Sequence, residues 1–203
     1  MMGDCRRRFF SALAVAAWSM LLPPSLADAQ QAAPPSAGAE KEREPELASR
    51  GQRNLAHPIK YGDWQKFCFK SPGTRTVCRA TITGTWDTGQ TAVRVDLIER
   101  VGEDKARLQL FLPVGMYLKP GVKLTVDQRK PHQIPYVSCM TNTCIAGNVA
   151  DPQLIREMEK GEKLVLEVVD FSLQTVSTTL PLSQFASIRK GLSVQTYRQD
   201  IDE

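Results

Sequence analysis

The chain has 203 residues, with 26 Lys or Arg against 22 Asp or Glu, and its formal net charge is +4. Apolar residues at 42% and charged residues at 24% are ordinary for one globular domain with appendages. This composition excludes a collagen, a coiled coil and a multi-span membrane protein. The charge excess is small and dispersed along the chain, which argues against nucleic acid as a partner.

The N-terminus has the order of a secretory signal peptide. Residues 1–8 are a basic segment, residues 9–22 are an apolar run of 14 residues, and Ala27-Asp28-Ala29 offers a small-x-small cleavage site. We predict a cleaved signal peptide over residues 1–29, and therefore export to the periplasm, the cell surface or the medium. A membrane anchor needs about 20 apolar residues, so no integral membrane span is expected after cleavage. The run Arg6-Arg7-Arg8 leaves twin-arginine export open beside the general secretory route.

A change of composition divides the rest of the chain. Residues 30–57 are rich in Pro, Ala, Gly and Glu and almost lack large apolar side chains, which predicts a disordered spacer. Over residues 58–203, short runs alternate apolar and polar residues between turn signals such as Ser71-Pro72-Gly73. Many short strands joined by tight turns predict an all-β protein, a β-sandwich of antiparallel strands. The expected strands cover residues 60–69, 76–85, 93–98, 107–112, 122–127, 133–138, 163–170 and 173–180.

Two segments break the strand pattern and predict short peripheral helices. In the first, Asp151-Pro152 combines an N-cap with proline at the first helical position, and Gly161 is the stop signal. Ser183 and Gly191 bound the second segment, which carries Phe185 as an expected core residue.

Four cysteines remain after signal cleavage, and an even number in an exported chain predicts disulfides. Local pairing is the economical arrangement, because Cys68 and Cys78 flank a predicted hairpin and Cys139 and Cys144 enclose four residues. Each bridge closes a small loop and is expected to stabilise the fold by at most roughly 2–3 kcal/mol. A four-cysteine zinc site is the competing interpretation, although the spacing of the first pair fits it poorly.

The sequence shows no catalytic constellation. His57 ends the predicted spacer and His132 is expected in a surface loop, whereas a Ser-His-Asp or Cys-His device needs a buried, oriented histidine. Glu157 and Glu159 are expected on a solvated helix face. Five arginines lie in or beside the predicted strands together with acidic residues, a pattern typical of an outward sheet face. They are Arg75, Arg79, Arg94, Arg100 and Arg107. We therefore predict no enzyme activity, no cofactor and no metal.

The aromatic residues fall into two expected groups. Trp64 lies four residues before Cys68, and an aromatic ring packed on a disulfide is a core arrangement in β-sandwiches. Ligand stacking is the alternative role for Trp64. Trp86 lies beside a predicted turn and, with Tyr117 and Phe111, forms our candidate interaction patch.

The order of these motifs over residues 58–191 resembles the invasion-associated locus B family of exported Gram-negative proteins. The similarity is carried by five stretches: Tyr61-Gly62-Asp63-Trp64 with Cys68, the LPVGMYLKPGV run at 112–122, Tyr136-Val137-Ser138-Cys139, Cys144-Ile145-Ala146, and Leu182-Ser183-Gln184-Phe185. Thr143 and Gln184 depart from it, since the family usually has glycine there. The resemblance implies a small periplasmic or surface-exposed β-sandwich, an association with host-cell entry through the family name, and no catalytic residue.

The leading hypothesis is a non-enzymatic cell-envelope protein that acts through protein–protein contact with an envelope or host-surface protein. The alternative is a small-molecule or lipid binding module of the periplasm, with its ligand between the sheets or against a face carrying Trp86 and Tyr117. A deep apolar pocket would favour the alternative, and a filled core with an exposed patch would favour the leading hypothesis. A hydrolase using His132 is a third hypothesis, which requires a nucleophile and a carboxylate close to the ring.

Overall fold

Alternating apolar side chains place one face of each main strand toward a common core. The computed structural model describes residues 50–53 and 58–198, which belong to one compact unit of the chain, Arg43–Glu203. The elements in chain order are β1 (Gln52–Arg53), β2 (Lys60–Tyr61), β3 (Gln65–Lys70), β4 (Val77–Thr85), β5 (Thr91–Arg100), β6 (Ala106–Leu112), β7 (Val122–Val126), β8 (His132–Ile134), β9 (Tyr136–Cys139), β10 (Cys144–Val149), α1 (Pro152–Lys160), β11 (Lys163–Val169), β12 (Thr175–Pro181), α2 (Phe185–Lys190) and β13 (Gln195–Arg198).

The strands form two sheets. The larger has eight strands in the order β13-β3-β4-β5-β6-β10-β9, with β2 beside β4, and the smaller has five in the order β1-β12-β11-β7-β8. Neighbouring strands are antiparallel except at two outer positions, where β1 and β13 pair in parallel with β12 and β3. The predicted β-sandwich with two short helices is confirmed.

The core lies between the inner faces of the sheets. One row of partners crosses four strands of the larger sheet and is wholly buried: Ile82, Val95, Leu110 and Ala146. On the smaller sheet, the paired side chains of Leu124 and Leu166 are also buried. Burial of a large aliphatic side chain contributes about 1.5–3 kcal/mol, so this filled interior is the main source of stability.

Trp64 and Phe185, the two predicted core residues, are buried side by side. Their ring centroids are 4.8 Å apart in an edge-to-face arrangement, which is a favourable geometry for aromatic pairs. The indole Nε1 of Trp64 donates a hydrogen bond of 2.8 Å to the carbonyl oxygen of Pro181. Trp64 therefore has a core role here, with its polar atom satisfied, and the ligand-stacking alternative is wrong.

Two disulfides pair the four described cysteines. Cys68 and Cys78 are direct partners across β3 and β4, and Cys139 and Cys144 are direct partners across β9 and β10. The predicted local pairing is confirmed. The zinc alternative is wrong, because every sulfur involved is already in an S–S bond.

Both helices lie where the sequence predicts them. At the start of α1, the side chain of Asp151 accepts a hydrogen bond of 2.7 Å from the backbone N–H of Gln153. Helix α2 begins at Phe185, and the preceding Gln184 makes no capping bond but accepts from the backbone N–H of Trp64 and donates to Asp63. Within the described residues, neither helix has the length and apolarity that a membrane span requires.

Four features differ from the sequence prediction. The strand expected at 60–69 is two strands, β2 and β3, which pair separately with β4. Residues 50–53, placed in the spacer, include β1 and pair with β12, whereas residues 54–57 and the rest of the spacer lie outside the described residues. The strand expected at 133–138 is split at Pro135, so that β8 joins the smaller sheet and β9 the larger. Strands β10 and β13 were not predicted. The predicted signal peptide and the acidic end at 200–203 lie outside the described residues.

Candidate functional site

A cleft of about 580 Å³ opens on the larger sheet where β5 begins and β6 ends. It brings together Trp86 and Phe111, two of the three residues of the predicted interaction patch, while Tyr117 lies outside its lining. The described residues that line the cleft are Trp86, Gln90, Thr91, Ala92, Arg94, Phe111, Leu112, Pro113, Asn142 and Thr143.

Two tight loops form the walls of the cleft. The β4–β5 turn is closed by backbone hydrogen bonds of 2.9 Å between Trp86 and both Gln90 and Gly89, and Gly89 has the positive φ that this turn requires. The second wall is the loop enclosed by the Cys139–Cys144 disulfide. There, the hydroxyl of Thr143 donates a hydrogen bond of 3.0 Å to the carbonyl of Leu112, which fastens the loop to β6.

Arg94 lies on the outer face of β5, directly opposite Phe111 on β6. Its guanidinium carbon is 3.7 Å from the centroid of the Phe111 ring, a close cation–π contact. Two residues along the same strand face, Asp96 is only 1% exposed. Its carboxylate accepts a hydrogen bond of 2.5 Å from Thr81 and lies 3.3 Å from Nε of Arg94.

Arg75, Arg100 and Arg107 are exposed as an outward sheet face predicts, but Arg79 and Arg94 are partly covered because they contact a buried carboxylate. Arg79, on the neighbouring strand, approaches the same Asp96 carboxylate at 3.7 Å. Two arginines and a threonine cover one buried carboxylate. Alternation along the strand expected at 93–98 is enough to place Asp96 on the outer face, but it gives no sign that side chains from β4 and β5 bury the carboxylate there.

An apolar crevice of about 60 Å³ adjoins the cleft and leads between the two sheets. It shares Trp86, Ala92, Leu112 and Pro113 with the cleft and reaches Met116 and Leu166 in the interior. This crevice is smaller than the roughly 150 Å³ cavity that accepts benzene in an engineered protein core. It can hold a small apolar group but not a long acyl chain.

A second surface, which we call the end patch, consists of Val114, Tyr117, Leu118 and Phe171. Phe171 is 78% exposed, Val114 and Leu118 are also exposed, and Tyr117 is half-buried. The two segments are joined by backbone hydrogen bonds from Phe171 to Gly115 at 3.0 Å and from Tyr117 to Val169 at 2.8 Å. Of the predicted interaction patch, Tyr117 thus belongs to this surface rather than to the cleft.

His132 is not the surface loop residue that we predicted. It belongs to β8, its side chain is 13% exposed, and its Nε2 lies 3.0 Å from a carboxylate oxygen of Glu157. The Glu157 carboxylate also accepts a hydrogen bond of 2.9 Å from the side-chain amide of Gln153. The Gln153 bond and, after it, the His132 contact outweigh the effect of burial and lower the pKa of Glu157. The second carboxylate near the ring is that of Asp151, at 3.8 Å.

The solvated helix face predicted for Glu157 and Glu159 is also wrong. Glu157 is buried against His132, and the Glu159 carboxylate accepts a hydrogen bond of 2.6 Å from Arg189 on α2. Burial opposes ionisation of Glu159, but hydrogen bonds from Lys190 and Arg189 outweigh it and lower its pKa. These carboxylates join α1 to its neighbours.

The hydrolase hypothesis requires a nucleophile beside His132. Carboxylates are present, but within residues 50–53 and 58–198 neither ring nitrogen contacts a hydroxyl or a thiol. The same part of the chain holds no cluster of three His, Cys, Asp or Glu side chains suited to a metal ion. His57 lies outside the described residues.

Two packed sheets with local disulfides and a cleft at one sheet end define a disulfide-stapled β-sandwich protein. The model of the invasion associated locus B (IalB) protein family matches residues 64–192, and the chain belongs to this family. The fold is also similar to the crystal structure of invasion associated protein B from Bartonella henselae, with a TM-score of 0.55 and 21% identity, over 63% of this chain and 88% of that chain. No curated protein matches the chain.

Proposed function

We propose that this chain is a non-enzymatic protein of the cell envelope that acts through protein–protein contact in the periplasm or at the cell surface. The observation that carries the proposal is the end patch, where a phenylalanine stands 78% exposed at a fixed turn. Exposed apolar patches on soluble proteins commonly mark interaction sites, and aromatic side chains supply much of the binding energy in interfaces. The location rests on the predicted signal peptide.

The turn that carries Phe171 is held in one conformation. The buried carboxylate of Asp170 accepts hydrogen bonds from the backbone N–H groups of Ser172 at 2.8 Å and Gln174 at 3.0 Å. Leu173 adopts a positive φ of 60°, which few non-glycine residues do. A rigid presentation of this kind lowers the entropy lost on binding, which supports a contact role for Phe171.

In-cell photocrosslinking tests the proposal. A photoreactive phenylalanine analogue replaces Phe171 in the full chain, and the matched control places it at Val101, an apolar residue 61% exposed at the β5–β6 turn. We expect a discrete protein adduct from position 171 and none from position 101. Equal labelling at both positions, or no protein adduct at position 171, would contradict the proposal.

A small-molecule binding module is the second candidate function, and the cleft favours it. Its volume of about 580 Å³ lies within the usual range for ligand pockets. A lipid ligand is disfavoured, because the adjoining apolar crevice measures only about 60 Å³. The same photoreactive analogue at Trp86 distinguishes the candidates, since a small-molecule adduct there without a protein adduct at Phe171 would favour this second function.

A further inference from the structure

We infer that the cleft is a carboxylate-binding site in which the Arg94 guanidinium receives the anion and Asp96 is its positioning residue. The ligand class is a monocarboxylate with a small apolar group, either as a free acid or as the C-terminus of a polypeptide. The inference names a ligand class for the cleft and so rests on the second candidate function, whereas the end patch takes no part in this site.

The charge of the cleft favours an anion. Arg94 is the one charged residue among the described residues that line it, and the other polar side chains are neutral amides and hydroxyls: Gln90, Thr91, Asn142 and Thr143. No acidic side chain of that lining opposes an incoming carboxylate. A dianion such as a phosphate monoester would leave one charge without a cationic partner, which favours a monoanion.

The guanidinium group is oriented before any ligand arrives. Its guanidinium carbon lies 3.7 Å from the centroid of the Phe111 ring, and the Asp96 carboxylate lies 3.3 Å from its Nε as an ion pair, so these two contacts restrict where the group can lie. The Arg94 side chain is 35% exposed and lines the cleft, so its guanidinium is accessible to a ligand there. A terminal pair of N–H groups in one plane matches the two oxygens of a carboxylate.

Asp96 does not neutralise the site. One carboxylate stands between two guanidinium groups, 3.3 Å from Arg94 and 3.7 Å from Arg79, so one positive charge is left over. Its Oδ2 atom and the Nε of Arg94 are buried without a hydrogen bond of proper geometry. A buried carboxylate is costly for stability, and orienting Arg94 is a function that accounts for its presence.

The apolar part of the ligand has a place beside the anion. Trp86 and Pro113 line both the cleft and the crevice between the sheets, so an apolar group attached to the carboxylate can enter the crevice from the cleft. The crevice volume of about 60 Å³ restricts that group to a short or branched one. These contacts supply selectivity beyond charge.

Calorimetric titration of the full chain tests the inference with four probes. They are 4-methylpentanoate, its methyl ester, a tetrapeptide with a C-terminal leucine, and the amidated form of the same peptide. We expect millimolar or tighter binding of the acid, of the free peptide, or of both, and no binding of the ester or the amidated peptide, which lack the carboxylate. Binding of the acid alone identifies a free acid as the source, and binding of the peptide alone identifies a polypeptide. Binding of neither, or equal binding of ester and acid, would overturn the inference.

The variants separate a specific site from general attraction. Arg94→Gln leaves Asp96 with fewer partners, so the double change Arg94→Gln/Asp96→Asn is tested beside it to preserve folding. Both are expected to weaken binding about tenfold or more, as loss of a charge-assisted hydrogen bond does. Arg107→Gln removes a charge from the same sheet face outside the cleft lining. Its affinity for the carboxylate probe is expected to stay within about twofold of the wild-type affinity. An unaffected double variant, or an equal loss in Arg107→Gln, would overturn the inference.

Discussion

At the scale of single residues, two phenylalanines lie in opposite surroundings and are expected to have different roles, one in folding stability and one in contact with a partner. Phe185 is fully buried against Trp64, whereas Phe171 is 78% exposed. Phe185→Ala is expected to lower the free energy of unfolding by about 3–5 kcal/mol, because it removes buried aromatic area and leaves a cavity. Urea denaturation of the wild type and the variant measures this change.

Phe171→Ala is the matched control for that measurement. It deletes the same atoms from a site exposed to solvent, so its free energy of unfolding should stay within about 0.5 kcal/mol of the wild type. Its affinity for the protein that crosslinks to position 171 should fall, because the variant lacks the exposed ring. Equal destabilisation by both variants would show that the end patch belongs to the folded core.

The residues also show how far sequence reasoning reaches at this scale. Trp64 could be assigned to the core because its distance from Cys68 is local information. Asp96 could be placed on the outer face by alternation, yet its burial depends on Arg79 from another strand and on the stacking of Arg94. Burial of a polar residue by long side chains of neighbouring strands has no signature in its own segment.

At the scale of elements, the contact between α1 and β8 depends on one ionised carboxylate. The hydrogen bond from Gln153, and after it the contact with His132 at 3.0 Å, lower the pKa of Glu157 from the ordinary value of 4.5. A lowered pKa means that the ionised form stabilises the fold above pH 4.5 and that this contribution is lost as the pH falls below it. Glu157→Gln should lower the free energy of unfolding by about 1–2 kcal/mol at neutral pH.

The pH dependence makes this prediction specific. The difference in urea midpoint between the wild type and Glu157→Gln should shrink as the pH falls through the lowered pKa. Glu162→Gln, at an exposed carboxylate that follows the same helix, should show no such convergence. A difference that stays constant into acid would mean that the side-chain amide, rather than the lost charge, weakens the junction.

Elements with local signals could be predicted and those without them could not. The Asp151 cap and Gly161 bracket α1 in the sequence, and the structure begins and ends that helix between them. Strand β10 contains Ala, Gly and Asn, three residues that are uncommon in strands, so its segment gives no strand signal. Glycine is needed at position 147 because a Cβ there would lie 2.7 Å from the carbonyl oxygen of Leu108. Strand β13 exposes all four residues and so lacks alternation.

At the scale of the whole molecule, the sheets are joined by contacts between residues far apart in sequence. The hydroxyl of Tyr61 on β2 lies 2.8 Å from that of Thr178 on β12, so this pair joins the larger sheet to the smaller. The division of strands between the sheets depends on such contacts and on the change of sheet at Pro135. Neither follows from the pattern of any one segment, which is why the sequence predicted a sandwich without its strand order.

This junction predicts how the molecule responds to alkali. Burial, opposed in part by the Thr178 hydrogen bond, raises the pKa of Tyr61 from 10.0 to about 12. The native state keeps the phenol protonated while the unfolded state ionises, so stability present below pH 10 is lost as the pH rises toward 12. The loss from this residue should reach roughly 3 kcal/mol. Tyr61→Phe should lose less stability than the wild type over that interval in urea titrations.

Burial raises the pKa of Tyr136 as well, so part of the decline should persist in Tyr61→Phe. Tyr197→Phe, at an exposed phenol on β13, should follow the wild-type profile, and a Tyr61→Phe profile identical to both would place the alkaline sensitivity elsewhere.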